Sequence, residues 1–488
     1  MKSSAIVAAV LEAAEKFPGR AALIAGEEEV KYSELVRRTK SAGALVAKQA
    51  AGEFVGILLP NSLDFAPYFL GALWAGKTVA VLPTLAPAAL LKFMVAEAKL
   101  ATIFTAEDLA PKLAEAGLPH FVIDTEYPTM SDFAPQARNH DAAVLLYTSG
   151  RTGRPKTVAL SEQNVISNAD GCRQATGFDD RQVMLAVLPL FHAYGLTVTI
   201  LLPLMTGSTV VIAERFVPRT VLNIIERHRV TCVIAVPSQY RVLALDPTPC
   251  DASSLWLCIA GAERLPETIE REFTSRFGHP IVPGYGATEL SPVVSLNLPE
   301  TNRPASVGKP IPGISVTIRD NEGWACALGE TGEVCVEGPN VMLGYLNDPE
   351  ANARKIRNGV LFTGDKGFFD ADGYLYISGR ADDMVKVAGE KIYPVELENA
   401  IERIDGVEEV AVIALPDPKQ GWRLHAFVQR KGGATLDESM LRTACRQVLE
   451  PYKIPRSFTF VDSLPRTITG KTDKRTLVTS AAEKRPLQ

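Results

Sequence analysis

Residues 145–158 read LLYTSGRTGRPKTV, an apolar run that opens into a small, hydroxylated, glycine-punctuated loop ending in a lysine. Glycines let backbone N–H groups approach a polyphosphate, Ser and Thr hydroxyls donate to its oxygens, and a lysine adds charge. Thr148, Ser149, Gly150, Arg151, Thr152, Gly153 and Lys156 are therefore candidate phosphate ligands. Gly150 to Thr157 nearly fits the P-loop spacing G-x-x-x-x-G-K-[ST]. The position before the lysine is Pro155, however, and proline has no N–H to give where that cradle needs a glycine. This is a different phosphate loop.

The stretch resembles the signature loop of the adenylate-forming superfamily: acyl-CoA and aryl-CoA synthetases, luciferases, and the adenylation domains of nonribosomal peptide synthetases. Further motifs similar to that family follow in order, so the resemblance runs from about Glu12 to Leu477. An acyl-adenylate forms when a carboxylate approaches the α-phosphate of ATP, charge on the transferring group is neutralised and pyrophosphate leaves in line. GYGATE (Gly284–Glu289) resembles the second signature, which implies that Tyr285 stacks on adenine, Thr288 bonds the α-phosphate and Glu289 holds Mg²⁺. IAGAE resembles the segment that borders adenine, through Gly261, Ala262 and Glu263; a plain strand-to-helix turn accounts for the same residues. LFTGD and ISGR match the ribose-binding acid, Asp365, and a nearby arginine, Arg380.

Asp382 falls at the family's hinge position, and KVAGEKIYPVELE resembles the loop that serves the thioester step. By that resemblance Lys386, Ala388, Gly389 and Glu390 form the thioester loop, and Lys391 contacts the nucleotide. PRTITGK (Pro465–Lys471) resembles the C-terminal catalytic motif, in which Lys471 bridges the carboxylate and the α-phosphate during adenylation. Three positions depart from the family. Arg151 stands where Ser or Thr is usual, Thr157 where Gly is usual, and Ala388 in place of the first of two glycines.

PLFHAYG (Pro189–Gly195) matches the segment that carries an aromatic-or-histidine gate beside the acyl group in acyl- and aryl-CoA synthetases. His192 is accordingly a candidate catalytic residue. Phe191, His192, Val236, Ser238, Gly284 and Val293 would build a mostly apolar pocket. With no acid there to pair an ammonium, an amino-acid substrate would lose its counter-charge. ELSPVVSLN resembles fatty-acyl enzymes in particular, so the expected substrate is a medium- or long-chain fatty acid, with an aryl acid second. The expected reaction forms acyl-AMP and then acyl-CoA, with ATP, Mg²⁺ and CoA taking part. The alternatives are transfer to an acyl carrier protein and a low-turnover adenylate-binding protein.

These groups must be positioned by a large scaffold. A chain of 488 residues exceeds one ordinary core, and 47% hydrophobic with 22% charged residues is the balance of a folded protein. Net charge −5 gives no reason to expect a nucleic-acid partner. Seven dispersed cysteines with no C-x-x-C pair suggest reduced thiols in the cytoplasm, and the six histidines show no zinc spacing. Glu12 and Glu15 interrupt the first apolar stretch, against an export signal. Between Arg181 and Glu214 no charged residue occurs, but Pro189, Gly195, Pro203 and Gly207 break up what could otherwise be a membrane span. VLPLF and STVVIA read there as buried strands flanking a short helix; peripheral membrane contact stays open.

Alternating helical and strand patterns predict parallel α/β layers, and short glycine-rich strands from about 306 to 379 predict a β-rich subdomain. The expected fold is α/β. A large N-terminal domain spans residues 1–381, and a mobile α+β C-terminal domain spans 382–477. A frayed tail is expected at 478–488.

Overall fold

Short apolar runs such as Phe54–Leu58 and Thr78–Val81 are buried nearly throughout, which suits strands covered on both faces by helices. The computed structural model describes all residues except 1–3, 51, 129–132, 149–154, 388–389, 418–420, 467–471 and 484–488. Side chains at 382, 386, 390, 391, 421, 482 and 483 also lie outside the description. Two units are resolved. The first comprises Met1–Leu265, Ile269–Val316 and Val336–Phe362; the second comprises Pro266–Thr268, Thr317–Cys335 and Thr363–Gln488.

The first unit holds two large sheets. One runs Gly344–Tyr345, Lys156–Ser161, Ala142–Thr148, Thr78–Val81, Phe54–Leu58, Ile103–Thr105, His120–Val122, its last five strands parallel. Ala142–Thr148 and Lys156–Ser161 pair antiparallel, so the phosphate-loop sequence connects two adjacent strands. The other sheet is centred on six parallel strands in the order Ile281–Gly286, Leu257–Ala260, Cys232–Ala235, Val183–Ala186, Thr209–Ile212, Ala21–Ala25. Antiparallel strands close both of its edges.

Helix Glu162–Thr176 leaves the phosphate hairpin through a capping box. Asn164 N donates to Ser161 Oγ at 3.0 Å, while Ser161 N donates to Asn164 Oδ1 at 2.8 Å. The helix ends at left-handed Gly177.

One expected strand is corrected. VLPLF is not a strand: Val183–Ala186 ends before it. Pro189 cannot donate to a ladder, and Asn61 takes up the neighbouring backbone instead, donating to Leu188 O at 3.0 Å and accepting from Leu190 N at 3.1 Å. STVVIA does contain the strand Thr209–Ile212, preceded by a π-helical turn, Gly195–Leu201, and helix Leu202–Thr206. Among the described residues no helix is long and apolar enough to cross a membrane.

In the second unit, Val360–Phe369 continues through the unit boundary and pairs with Leu375–Arg380, as its glycine-rich alternation predicts. Further on, Glu390–Ile392, Val385–Val387, Gly421–Arg430 and Val407–Asp417 form a sheet, with Ser457–Val461 added parallel to Gly421–Arg430. Helices Pro394–Ile401 and Glu438–Val448 bury Leu397, Ile401, Leu441 and Cys445 in its core. The expected frayed tail is also corrected. Helix Lys474–Glu483 includes residues 478–483, because Leu477 is fully buried and Ala481 packs beside it against the same sheet.

Candidate active site

Several motif residues meet because parallel strands end together. Cys232–Ala235 leads into Val236, Leu257–Ala260 into Gly261, and Ile281–Gly286 itself carries Gly284 and Tyr285. Register pairs Ala235 with Ala260 and Ala260 with Pro283, so Val236, Gly261 and Gly284 stand abreast. The adjoining strand Val183–Ala186 runs on toward Phe191 and His192, whose rings lie 4.5 Å apart. Carboxyl ends of parallel strands are where sheets of this kind bind ligands.

Two glycines are required by close approach. A Cβ on Gly286 would lie 2.2 Å from Pro292 O, which keeps the GYG turn folded onto Val293–Leu296. A Cβ on Gly261 would lie 2.3 Å from Tyr194 Cε1. The next residue, Ala262, adopts φ +70°, a left-handed conformation uncommon outside glycine and often found at functional turns. Gly261→Ala is therefore expected to destabilise the first unit by about 1–3 kcal/mol through overpacking, measured by denaturant unfolding. Unchanged stability would show that Tyr194 moves aside freely.

The GYGATE turn is joined to the phosphate hairpin by a chain of specific contacts. Asn168, in helix Glu162–Thr176, donates to Leu290 O at 3.2 Å and Val293 O at 2.7 Å, and Asn164 donates to Pro339 O at 2.7 Å and Val341 O at 2.8 Å. The segment so held places Tyr345 with its hydroxyl donating to Glu289 Oε1 at 2.8 Å. Lys156 Nζ lies 4.4 Å from the centre of the Tyr345 ring and 3.5 Å from Asp348 Oδ2. Thr148 starts the hairpin, its hydroxyl 3.5 Å from Lys156 O. Ser149, Gly150, Arg151, Thr152 and Gly153 lie outside the described residues.

Thr157 acquires a physical account. Its side chain is fully buried, and its hydroxyl donates to the Glu97 carboxylate. Burial pushes the Glu97 carboxyl up, the Thr157 hydrogen bond draws it back down, and the Asp348 charge adds to the rise. A glycine at 157 would leave that half-buried acid without this donor.

In the second unit, strand register sets Asp365 opposite Arg380, with Nη1 3.3 Å from Oδ1. Asp365 is nearly buried, and its backbone N–H donates to Thr363 Oγ1 at 3.0 Å. Asp382 falls in the single 3₁₀ turn Ala381–Asp383; its side chain and those of Lys386, Glu390 and Lys391 lie outside the description. Ala388, Gly389 and Lys471 are outside the described residues altogether.

An apolar cavity of about 20 Å³ lies between the nine-stranded sheet and its covering helices. Phe178, Met184, Tyr194, Ile234, Ile259, Val293 and Leu296 contribute to its lining, and no charged side chain does. Burial pushes the thiols of Cys172 and Cys232, also in the lining, up to about 12, so they are neutral walls rather than nucleophiles. Of the pocket expected from sequence, Val293 lines this cavity and Val236 packs against the surrounding core. Phe191, His192, Ser238 and Gly284 do not line it. Gly284 is nonetheless adjacent, since a Cβ there would sit 3.5 Å from Ile259 Cγ2.

Sequence reasoning did not single out Tyr345, Asp348, Glu97 or Tyr194. Tyr194 falls within PLFHAYG, but only packing reveals its contact with Gly261. Among the described residues no group of three or more His, Cys, Asp or Glu side chains could hold a metal ion. A single carboxylate still suits Mg²⁺, which keeps several waters and takes further oxygens from phosphates. Glu289 fits that donor set, with the Tyr345 hydroxyl donating to its Oε1.

Comparison with known proteins identifies the family. Residues 10–346 match the model of the AMP-binding enzyme family, and residues 396–471 match that of the AMP-binding enzyme C-terminal domain. The long-chain-fatty-acid–CoA ligase of Bacillus subtilis (strain 168) is 30% identical, over 97% of this chain and 94% of the relative. The sulfoacetate–CoA ligase of Cupriavidus necator is 33% identical, over 88% of each. Among solved structures, ATP-bound MatB from Rhodopseudomonas palustris superposes with a TM-score of 0.91 at 27% identity, covering 99% of this chain and 100% of that one. The chain belongs to the AMP-binding enzyme family.

Proposed function

We propose that this acid–thiol ligase of the AMP-binding enzyme family activates an apolar monocarboxylic acid, with a medium- or long-chain fatty acid as the leading substrate. The acid's carboxylate attacks the α-phosphate of ATP, and pyrophosphate leaves. The CoA thiol then attacks the acyl carbon of the adenylate, and AMP leaves. Reduced thiols throughout the described chain accord with a cytoplasmic setting, where free CoA is available.

The observation that carries the choice of acid is the uncharged lining of the cavity beside Gly284 and Val293. A dicarboxylate or sulfonated acid needs a cation for its second anion, and burying that anion unpaired would be costly. An apolar tail faces no such cost. At about 20 Å³ the cavity has room for little more than one water, so a longer acyl chain must displace its walls on entry. The rings of Tyr194 and Phe178 support an aryl acid as the second reading.

In this reading Tyr285 stacks on adenine, Thr288 bonds the α-phosphate, and Thr148 and Lys156 face the outer phosphates. Asp365 accepts hydrogen bonds from the ribose hydroxyls, with Arg380 beside it. Glu289 would hold Mg²⁺, which would offset charge on the phosphates when bound. Lys471 acts in adenylation, and Asp382 is the pivot of the C-terminal domain.

Pyrophosphate release with saturated fatty acids of increasing length, benzoate, cinnamate and malonate tests the choice of acid. The reading expects the fatty acids to lead and malonate to fail; turnover of malonate above the apolar acids would overturn it. Replacing free CoA with a carrier protein's phosphopantetheine arm tests the acceptor.

Arg151 gives a separate prediction. Its stem is bulky among Ser149, Gly150, Thr152 and Gly153, so Arg151→Thr is expected to speed pyrophosphate exchange. The opposite result, slower exchange with ATP affinity about tenfold weaker, would identify the guanidinium as a phosphate ligand.

A further inference from the structure

We infer that Tyr345 is a positioning residue, holding through one side chain both the lysine that ends the phosphate loop and the carboxylate of Glu289. The inference rests on the reading above in which Lys156 and Glu289 face the nucleotide.

Tyr345 has two functional surfaces, and both are occupied. Its hydroxyl donates to Glu289 Oε1 at 2.8 Å, while its ring faces Lys156 Nζ at 4.4 Å from the centroid. A carboxylate is otherwise free to turn about its last torsion, and one bonded oxygen fixes the direction in which the second presents its lone pairs. A lysine is a flexible point charge; a ring face on one side and Asp348 at 3.5 Å on the other confine it near the loop.

The phenol is itself held from several directions. Only 5% of Tyr345 is exposed. The Asn352 amide clamps its backbone, accepting from Tyr345 N at 2.6 Å and donating to Tyr345 O at 2.9 Å. Tyr345 pairs with Val158 across the sheet edge, and Leu346 N donates to Thr157 O at 2.8 Å. Met342 N donates to Glu289 O at 2.9 Å, so the backbone of the acid is tied to the same segment. A side chain so fixed can set two opposite charges at a defined separation, as preorganised electrostatic sites require.

The two contacts separate by mutation. Tyr345→Phe keeps the ring and removes only the hydroxyl; Tyr345→Leu removes both. Calorimetric titration of the full-length protein with ATP, without acid and across a series of Mg²⁺ concentrations, reads ligand binding without turnover, and thermal unfolding reads the fold. For Tyr345→Phe we expect an unchanged melting temperature and an Mg²⁺ requirement for ATP binding raised about tenfold, the lower end of the scale for one hydrogen bond to a charged group. Tyr345→Leu should in addition weaken ATP about tenfold at saturating Mg²⁺, as Lys156 is released.

Glu289→Gln tests the underlying reading. An unchanged Mg²⁺ requirement in that variant would remove Glu289 as the ion's ligand, and the inference with it. If Glu289→Gln raises the requirement while Tyr345→Phe leaves both Mg²⁺ and ATP dependence at parental values, the reading stands and the positioning role of Tyr345 is overturned.

Discussion

Replacing Lys471 with alanine is expected to lower pyrophosphate release by about a thousandfold while leaving thioester formation from supplied acyl-adenylate nearly intact. The two half-reactions ask different things of a cation. In the first, a carboxylate and an α-phosphate, both negative, must come into contact, and charge accumulates on the phosphorus oxygens as the bond forms. A lysine bridging the two relieves that repulsion where it is greatest. In the second, a thiol attacks an acyl carbon already activated, and no second anion has to be brought up to the phosphate. Equal loss in both half-reactions would mean that Lys471 supports the fold or nucleotide binding generally.

Asp382→Pro is expected to do the reverse, with adenylation surviving and overall acyl transfer falling on the order of a hundredfold. Position 382 is the middle of the 3₁₀ turn Ala381–Asp383. Such a turn runs at φ of about −50 to −70°, close to the value proline imposes. The turn's bond from Met384 N to Ala381 O does not use the N–H that proline lacks. The resting turn can therefore accommodate the ring at 382, at some strain in Ala381, the helical residue before it. What is lost is the freedom of φ at 382 to take up a second conformation. If the thioester step requires the C-terminal domain to reorient about this residue, the first half-reaction proceeds and the second stalls. Both steps running at parental rates would remove the pivot assignment. Paired assays on Lys471→Ala and Asp382→Pro also serve as mutual controls, since general misfolding cannot produce opposite patterns.

Much of the fold was legible because its signals are local. Burial of Val79, Ala80 and Val81 follows from a four-residue apolar run, and the pairing of Val360–Phe369 with Leu375–Arg380 from short glycine-rich strands. VLPLF failed for an equally physical reason. Its composition is that of a buried strand, but Pro189 breaks the ladder and a distant side chain, Asn61, supplies the missing hydrogen bonds. No window of sequence contains that partner. The end of the chain failed likewise, because docking of Leu477 and Ala481 onto the sheet organises a helix that its polar composition alone does not predict.

The sequence by itself determined the reaction class, since the motifs that resemble a phosphate loop, a GYGATE signature and a ribose-binding segment are each runs of consecutive residues whose spacing is set along the backbone. Gly286 illustrates this: the tight turn of its own motif demands it. Only the tertiary structure decided how these pieces are coupled. Tyr345 and Glu289 are 56 positions apart, and Thr157 and Glu97 are 60 apart. Each pair meets because separate elements are packed side by side, and a hydroxyl in such a place has no periodicity to betray it. The walls around Val293 are of the same kind, drawn from several strands and helices whose apolar residues look alike in sequence. In the proposed reading, acid specificity depends on the volume those residues leave between them, and volume is a property of packing, not of any one segment.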